Sequence, residues 1–158
     1  MEITVVVEIP KGSRNKYEID HDTGRVYLDR VLHSAVHYPA DYGYIDESLG
    51  GDGDPLDALV LLEQPTVPGC IITSRPVGVF VMRDEKGADE KILCVPLADP
   101  AWNHVTELEA VPPHRLKEIE HFFQVYKDLE GKKTEIEGWR DRPTAEQVIT
   151  DALGAYNH

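Results

Sequence analysis

Short strand-forming runs follow one another through the first half of this sequence, and helical periodicity starts only at Pro112. In the opening run Ile3, Val5, Val7 and Ile9 share one face at period two, which predicts a strand over 2–9. Lys16 to Asp20 and Arg25 to Leu28 flank the turn His21-Asp22-Thr23-Gly24, a hairpin pattern. Further strands are expected at 58–62, 69–73, 76–83 and 91–96. Residues 31–55, rich in Tyr, Pro, Gly and acids, read as irregular loop. Pro112 and Pro113 then open a segment with Leu116, Ile119, Phe123 and Tyr126 on one helical face. After Pro143, Thr144 and Gln147 form a capping-box pattern, and Ile149, Ala152, Leu153 and Tyr156 stripe a second helix. Strands followed by helices predict an α+β fold rather than a βαβ parallel sheet. Many short strands suit a small closed or partly closed β-barrel with long loops and the helices packed outside. At 158 residues the chain has the length of a single domain, 1–158.

The charge balance narrows the partners. Acids number 29 against 16 Lys and Arg, a net charge of -13. Nucleic acid and anionic membranes need a basic surface, so neither is expected as a partner. No apolar run approaches the ~20 residues of a membrane span. Met1 to Lys11 lacks the basic, then small-residue pattern of a secretory signal. Cys70 and Cys94 lie far apart in apolar runs and read as buried free thiols, which points to a cytoplasmic protein.

The acids are unevenly spread. Between Val31 and Ser74 there is no Lys or Arg, yet Asp41, Asp46, Glu47, Asp52, Asp54, Asp57 and Glu63 lie there. Such a segment repels itself unless it is well solvated or holds a cation. In Asp52-Gly53-Asp54-Pro55-Leu56-Asp57 the Gly and Pro let the chain bend, so the three carboxylates can converge. Convergent carboxylates suit a hard cation with oxygen ligands, Mg²⁺ or Ca²⁺. An EF-hand is excluded, because Asp57 stands where that loop needs Gly. A second pair, Asp84 and Asp89, flanks Glu85-Lys86-Gly87-Ala88, which reads as a hairpin tip. That would bring the two carboxylates nearly opposite each other, an unfavourable pairing that a cation relieves.

Cations and phenols add a substrate side. Lys16, Arg30, Lys91 and Lys127 lie at strand or helix ends, and Lys91 is two residues beyond Asp89, on the same side of a strand. Tyr38 and Tyr42 lie four apart, and Tyr126 precedes Lys127. Lys, Arg and Tyr beside clustered carboxylates can hold a phosphate–metal complex. On the residues alone this supports a Mg²⁺-dependent phosphate enzyme. A nucleotide-sugar transferase would need an α/β nucleotide-binding region, a Ca²⁺-binding module leaves the Lys, Arg and Tyr set unused, and a scaffold that has lost activity would not need the full set.

Several segments together carry a family resemblance. Glu8-Ile-Pro-Lys-Gly-Ser-Arg-Asn-Lys-Tyr-Glu18, Tyr38-Pro-Ala-Asp-Tyr-Gly43, Asp52 through Asp57, Asp84 through Lys91 and His121-Phe-Phe-Gln-Val-Tyr-Lys-Asp-Leu-Glu130 occur in one order across most of the chain. The sequence resembles the family I soluble inorganic pyrophosphatases of the bacterial single-domain type. The resemblance implies a five-stranded OB-like barrel and Mg²⁺-dependent hydrolysis of pyrophosphate to two phosphates, with Mn²⁺ or Zn²⁺ as substitute metals. It implies that Asp52, Asp57 and Asp89 hold a first metal and that Asp57 also reaches a second. Asp84 and Asp89 would serve a third, and Glu8 would act near the metals through water. Lys16, Arg30, Tyr42, Tyr126 and Lys127 correspond to phosphate contacts, and Glu18, Tyr38 and Lys91 to supporting residues, Lys91 on the substrate side. Asp54 corresponds to the general base, with Asp89 as the alternative. A homo-oligomer, hexameric in the family, is implied as well. Asp41 stands where many relatives have Asn and is expected to add negative charge beside the site. His21 is expected near the site mouth.

Overall fold

The computed structural model describes residues 1–158. Eight strands and two helices follow in the order β1 (Ile3–Ile9), β2 (Asn15–Ile19), β3 (Val26–Val31), β4 (Asp41–Ile45), β5 (Asp57–Val60), β6 (Ile71–Asp84), β7 (Gly87–Pro96), α1 (Pro113–Val125), β8 (Glu135–Arg140) and α2 (Arg142–Tyr156). The strands β1-β4-β5-β7-β6 pair in that order, and β6 pairs back with β1, so five strands close into a barrel. The α+β barrel expected from the strand-then-helix order is therefore present. Only β5 and β7 pair in parallel; β8 adds to the outer edge of β6, and β2 and β3 form a separate two-stranded sheet.

Closure makes the wall apolar on both faces. Along β1, Ile3, Val5, Val7 and Ile9 are buried in strict alternation, as the sequence requires. One face of the wall packs Val5, Val7, Ala58, Val60, Val79, Ile92 and Cys94 with Ala145, Ile149 and Ala152 of α2. The other packs Tyr42, Leu59, Phe80, Met82, Leu93 and Val95 with Ile119, Phe122 and Phe123 of α1. Strands covered on both faces read as continuous apolar runs, which is why 91–96 shows no alternation. Cys94 is buried and Cys70 half-buried, and both are free thiols.

Four local expectations need correction. Residues 31–55 are not all loop, because Asp41–Ile45 forms β4 between β1 and β5. Its sequence, Asp-Tyr-Gly-Tyr-Ile, carries no clear alternation; cross-strand pairing overrides its weak strand propensity. The segments 69–73 and 76–83 are not two strands but parts of one, β6, which bends at a bulge between Pro76 and Gly78. The bulge accommodates a proline that cannot donate to the ladder. The second half is not wholly helical, since Glu135–Arg140 forms edge strand β8. Finally, Asp141 rather than Thr144 caps α2: its Oδ1 accepts the Thr144 N–H at 3.1 Å, and Pro143 sits inside the first turn, where its missing N–H costs nothing.

Gly43 in β4 is held to glycine by crowding alone, since a Cβ there would lie 1.9 Å from the Val6 carbonyl oxygen. Gly43→Ala is expected to cost about 3 kcal/mol by forcing β4 off β1, read as a lower urea midpoint. An unchanged midpoint contradicts this close approach. Asp141→Ala is expected to cost about 1 kcal/mol in the same measurement through loss of the helix cap.

Candidate active site

The site grows from the parallel pairing of β5 and β7. Their register sets Asp57 beside Lys91. Lys91 is only 2% exposed, and its Nζ lies 3.1 Å from Asp57 Oδ2 and 3.1 Å from Asp89 Oδ2. The same ammonium donates to the Tyr42 hydroxyl at 2.6 Å, and stands 5.0 Å from the Tyr42 ring centroid and 4.8 Å from that of Phe123. Burial alone would lower the Lys91 pKa; the Tyr42 hydroxyl and the carboxylates of Asp57 and Asp89 outweigh it and hold the ammonium well above ordinary lysine. Asp57 is set deep in the cleft yet open to it, with 31% of its side chain exposed. Its burial raises its pKa, and the Lys91 charge offsets that only in part. Burial also keeps the Tyr42 hydroxyl protonated well past its usual range.

Above this floor lies a cleft of ≈ 490 Å³. Every residue the sequence assigned to the site lines it, except Arg30 and Tyr38, which line an adjoining recess of ≈ 290 Å³. One wall is acidic. Asp52 and Asp54 stand on the exposed loop before β5, which curls through a left-handed Gly53 (φ 88), with the Asp54 N–H donating to Asp52 Oδ1 at 3.0 Å. Glu8, from β1, accepts the Ile19 N–H at 3.0 Å; burial still raises its pKa above the usual glutamate value. The other wall is basic and phenolic. Lys16 donates to Glu18 Oε1 at 2.7 Å, which lowers the Glu18 pKa, and Tyr27 donates to the other Glu18 oxygen at 2.9 Å. Lys127 Nζ is 3.7 Å from both Asp84 Oδ2 and Glu85 Oε1. Tyr126, beneath it, is buried and its pKa is pushed up to about 12. Arg30 sits between Asp29, 2.8 Å from its Nη1, and Glu130, 3.0 Å from its Nε. Tyr38 is fully buried against Phe122, at 4.7 Å between ring centroids, and supports the wall from behind.

Three expectations change in detail. No three carboxylates are drawn tightly enough together to hold an ion in this arrangement. Asp52, Asp57 and Asp89 line one common recess of ≈ 210 Å³, and the Lys91 ammonium is the cation that Asp57 and Asp89 share. Asp84 and Asp89 are not opposed across the hairpin: Asp84 pairs with Gly87 and Asp89 with Met82, which makes the two carboxylates diagonal neighbours on one face. Asp41 adds no charge to the cleft. Its carboxylate is fully buried and accepts the N–H groups of Lys11, at 2.8 Å, and Thr66, at 3.0 Å. Strand alternation turns Asp41 away from Tyr42. His21 does stand at the cleft mouth, edge-on to Tyr44 with ring centroids 5.2 Å apart. Glu130 and Asp29, which flank Arg30, carry no role in the sequence reading, although Glu130 closes the His121–Glu130 segment three residues after Lys127.

Known proteins resemble this chain along its length. The sequence profile described as inorganic pyrophosphatase matches residues 5–157. An inorganic pyrophosphatase of Leifsonia xyli is 60% identical over 146 residues, 92% of this chain and 90% of that one. One from Methanosarcina mazei is 54% identical over 152 residues, 96% of this chain and 90% of that one. The crystal structure of the Thermus thermophilus inorganic pyrophosphatase superposes with a TM-score of 0.96 at 43% identity, covering 99% of this chain and 92% of that one. The barrel, the paired walls of the cleft and these matches agree, and the chain belongs to family I of the inorganic pyrophosphatases, a family of hydrolases.

Proposed function

We propose that this chain hydrolyses inorganic pyrophosphate to two orthophosphates in a Mg²⁺-dependent reaction. The observation that carries the reading is the facing of an acidic wall and a cationic, phenolic wall across one cleft. Pyrophosphate is a compact polyanion, and carboxylates alone would repel it. The donor set fits a hard metal ion, since it is all oxygen, and Asp57 and Asp89 already share one cationic group. Asp52, Asp57 and Asp89 are the residues to hold a first ion, Asp57 to reach a second, Asp84 and Asp89 a third, and Glu8 to act through water. When bound, such ions offset phosphate charge and make a nearby water more acidic. Mn²⁺ or Zn²⁺ would meet the same oxygens.

The protein groups do the rest. Asp54, exposed on its loop, takes the proton of the attacking water, with Asp89 as the alternative base. The water oxygen adds to one phosphorus as the bridging P–O bond breaks, and the second phosphate leaves. Lys127, Arg30 and the protonated hydroxyl of Tyr126 offset the charge that gathers on it, and Lys16 and Tyr42 orient the other phosphate. Lys91 holds the carboxylate floor in place from beneath, while Glu18 and Tyr38 steady Lys16 and Tyr42. The exposed apolar residues Val26, Leu28 and Val31 on β3 support a homo-oligomer, hexameric by family resemblance. No helix is long and apolar enough to cross a membrane. The two unpaired cysteines, Cys70 and Cys94, support a reducing, cytoplasmic setting.

The decisive test is phosphate release from pyrophosphate with Mg²⁺, with chelator, and with a phosphate monoester in place of pyrophosphate. Release that needs Mg²⁺ and spares the monoester is expected; none from folded protein overturns the reading. Asp54→Asn is expected to lower kcat by about 100-fold or more while Mg²⁺ still binds by titration. An unchanged kcat moves the base role to Asp89.

A further inference from the structure

We infer that Glu130 is a positioning residue for Arg30, fixing the guanidinium in the cleft before phosphate arrives; this rests on the pyrophosphatase reading above. Arg30 leaves the end of β3 on a long, flexible side chain that is 26% exposed, whereas Glu130 is only 8% exposed. Their contact, Nε to Oε1, is 3.0 Å, an ion pair and not a hydrogen bond, because the Nε–H is not aimed at that oxygen. On its other flank Arg30 Nη1 donates to Asp29 Oδ2 at 2.8 Å. One hydrogen-bonded carboxylate and one ion-paired carboxylate thus flank the guanidinium on two sides and restrict where it can go, and the donors they leave over are those a phosphate can take.

The second observation concerns Glu130 itself. Its Oε2 is buried and accepts no hydrogen bond. A buried carboxylate oxygen without a partner is unfavourable, and the Arg30 charge is what compensates it. Glu130 also lies on a rigid support. It ends a short 3-10 turn over 128–130, its N–H donates to the Lys127 carbonyl at 3.0 Å, and a left-handed Gly131 (φ 74) closes the turn. Arg30 and Lys127 come from elements far apart in sequence, and Glu130 fixes one relative to the other. An arginine already ordered loses less freedom when substrate binds.

The test is a double-mutant cycle on kcat/KM for pyrophosphate, using the wild type, Glu130→Ala, Arg30→Ala and the double variant. Glu130→Ala is expected to lower kcat/KM about tenfold, the size of one charge-assisted contact to phosphate. In the Arg30→Ala background the same change is expected to cost nothing further. A full additional loss in that background means that Glu130 acts on the fold and not through Arg30, and overturns the inference; so does an unchanged kcat/KM in Glu130→Ala. Glu130→Gln keeps the side-chain volume and carries the same cycle if the alanine variant does not fold. Should the wild type not hydrolyse pyrophosphate, the functional reading fails by itself. The cycle is then read as the affinity for inorganic phosphate with Mg²⁺ by calorimetry, where additive losses, or no phosphate binding at all, overturn the positioning role.

Discussion

One buried ammonium makes the rest of the cleft possible. Asp57 and Asp89 project from paired strands toward the same space, and two neighbouring carboxylates at the base of a barrel would repel each other. Lys91 stands between them on the strand that also carries Asp89. It keeps its charge in a buried place because two carboxylates, a phenol and two aromatic faces surround it. Removing one partner of such a group typically costs about 3–5 kcal/mol, so the floor of the site and the stability of the barrel are linked. The parallel register of β5 and β7 is what aligns the three side chains.

The division of labour in the cleft follows from where each group is mounted. Asp57, Asp89, Lys91 and Tyr42 stand on barrel strands, which fix direction closely. Asp52 and Asp54 stand on an exposed loop, where a proton acceptor can meet solvent. Lys16 and Arg30 stand on the β2–β3 hairpin, and Tyr126 and Lys127 at the end of α1, so the phosphate wall is assembled from elements outside the barrel ring. Charge supports the same division: Asp57, Asp89 and Glu8 stand on the barrel side, and Lys16, Arg30 and Lys127, each paired with its own carboxylates, on the side facing it.

How far the residues alone reveal this depends on which force shapes each element. Period-two burial in β1 and the helical faces of α1 and α2 are local signals and survive folding, except that Tyr156 at the end of α2 is exposed. Strand β4 and edge strand β8 are invisible locally, because Gly43 and Gly138 lower their strand propensity and pairing with distant strands supplies what is missing. That omission misplaced Asp41. Without β4 there is no alternation to turn its carboxylate away from Tyr42, and a buried partner of Lys11 and Thr66 looks like a site acid. The two-residue spacing of Asp89 and Lys91 did translate directly into contact, since it lies within one strand. The Asp52 to Asp57 run did so less directly, because it spans an exposed loop with a left-handed Gly53 rather than one strand. Glu130 was out of reach for another reason: its meaning lies in Arg30, a hundred residues distant.

The β2–β3 hairpin forms its own two-stranded sheet, joined by side-chain links to the barrel, as from Glu8 to the Ile19 amide, and to the turn after α1, as from Arg30 to Glu130, rather than by a shared ladder. Two cations of the cleft, Lys16 and Arg30, are therefore mounted outside the barrel ladder. Fluctuations that part the hairpin from the barrel leave the carboxylate floor intact and remove Lys16 and Arg30 from their anion. The consequence is one of mounting: displacing the hairpin shifts two cations at once, whereas Asp57, Asp89 and Lys91 keep the places their own paired strands give them.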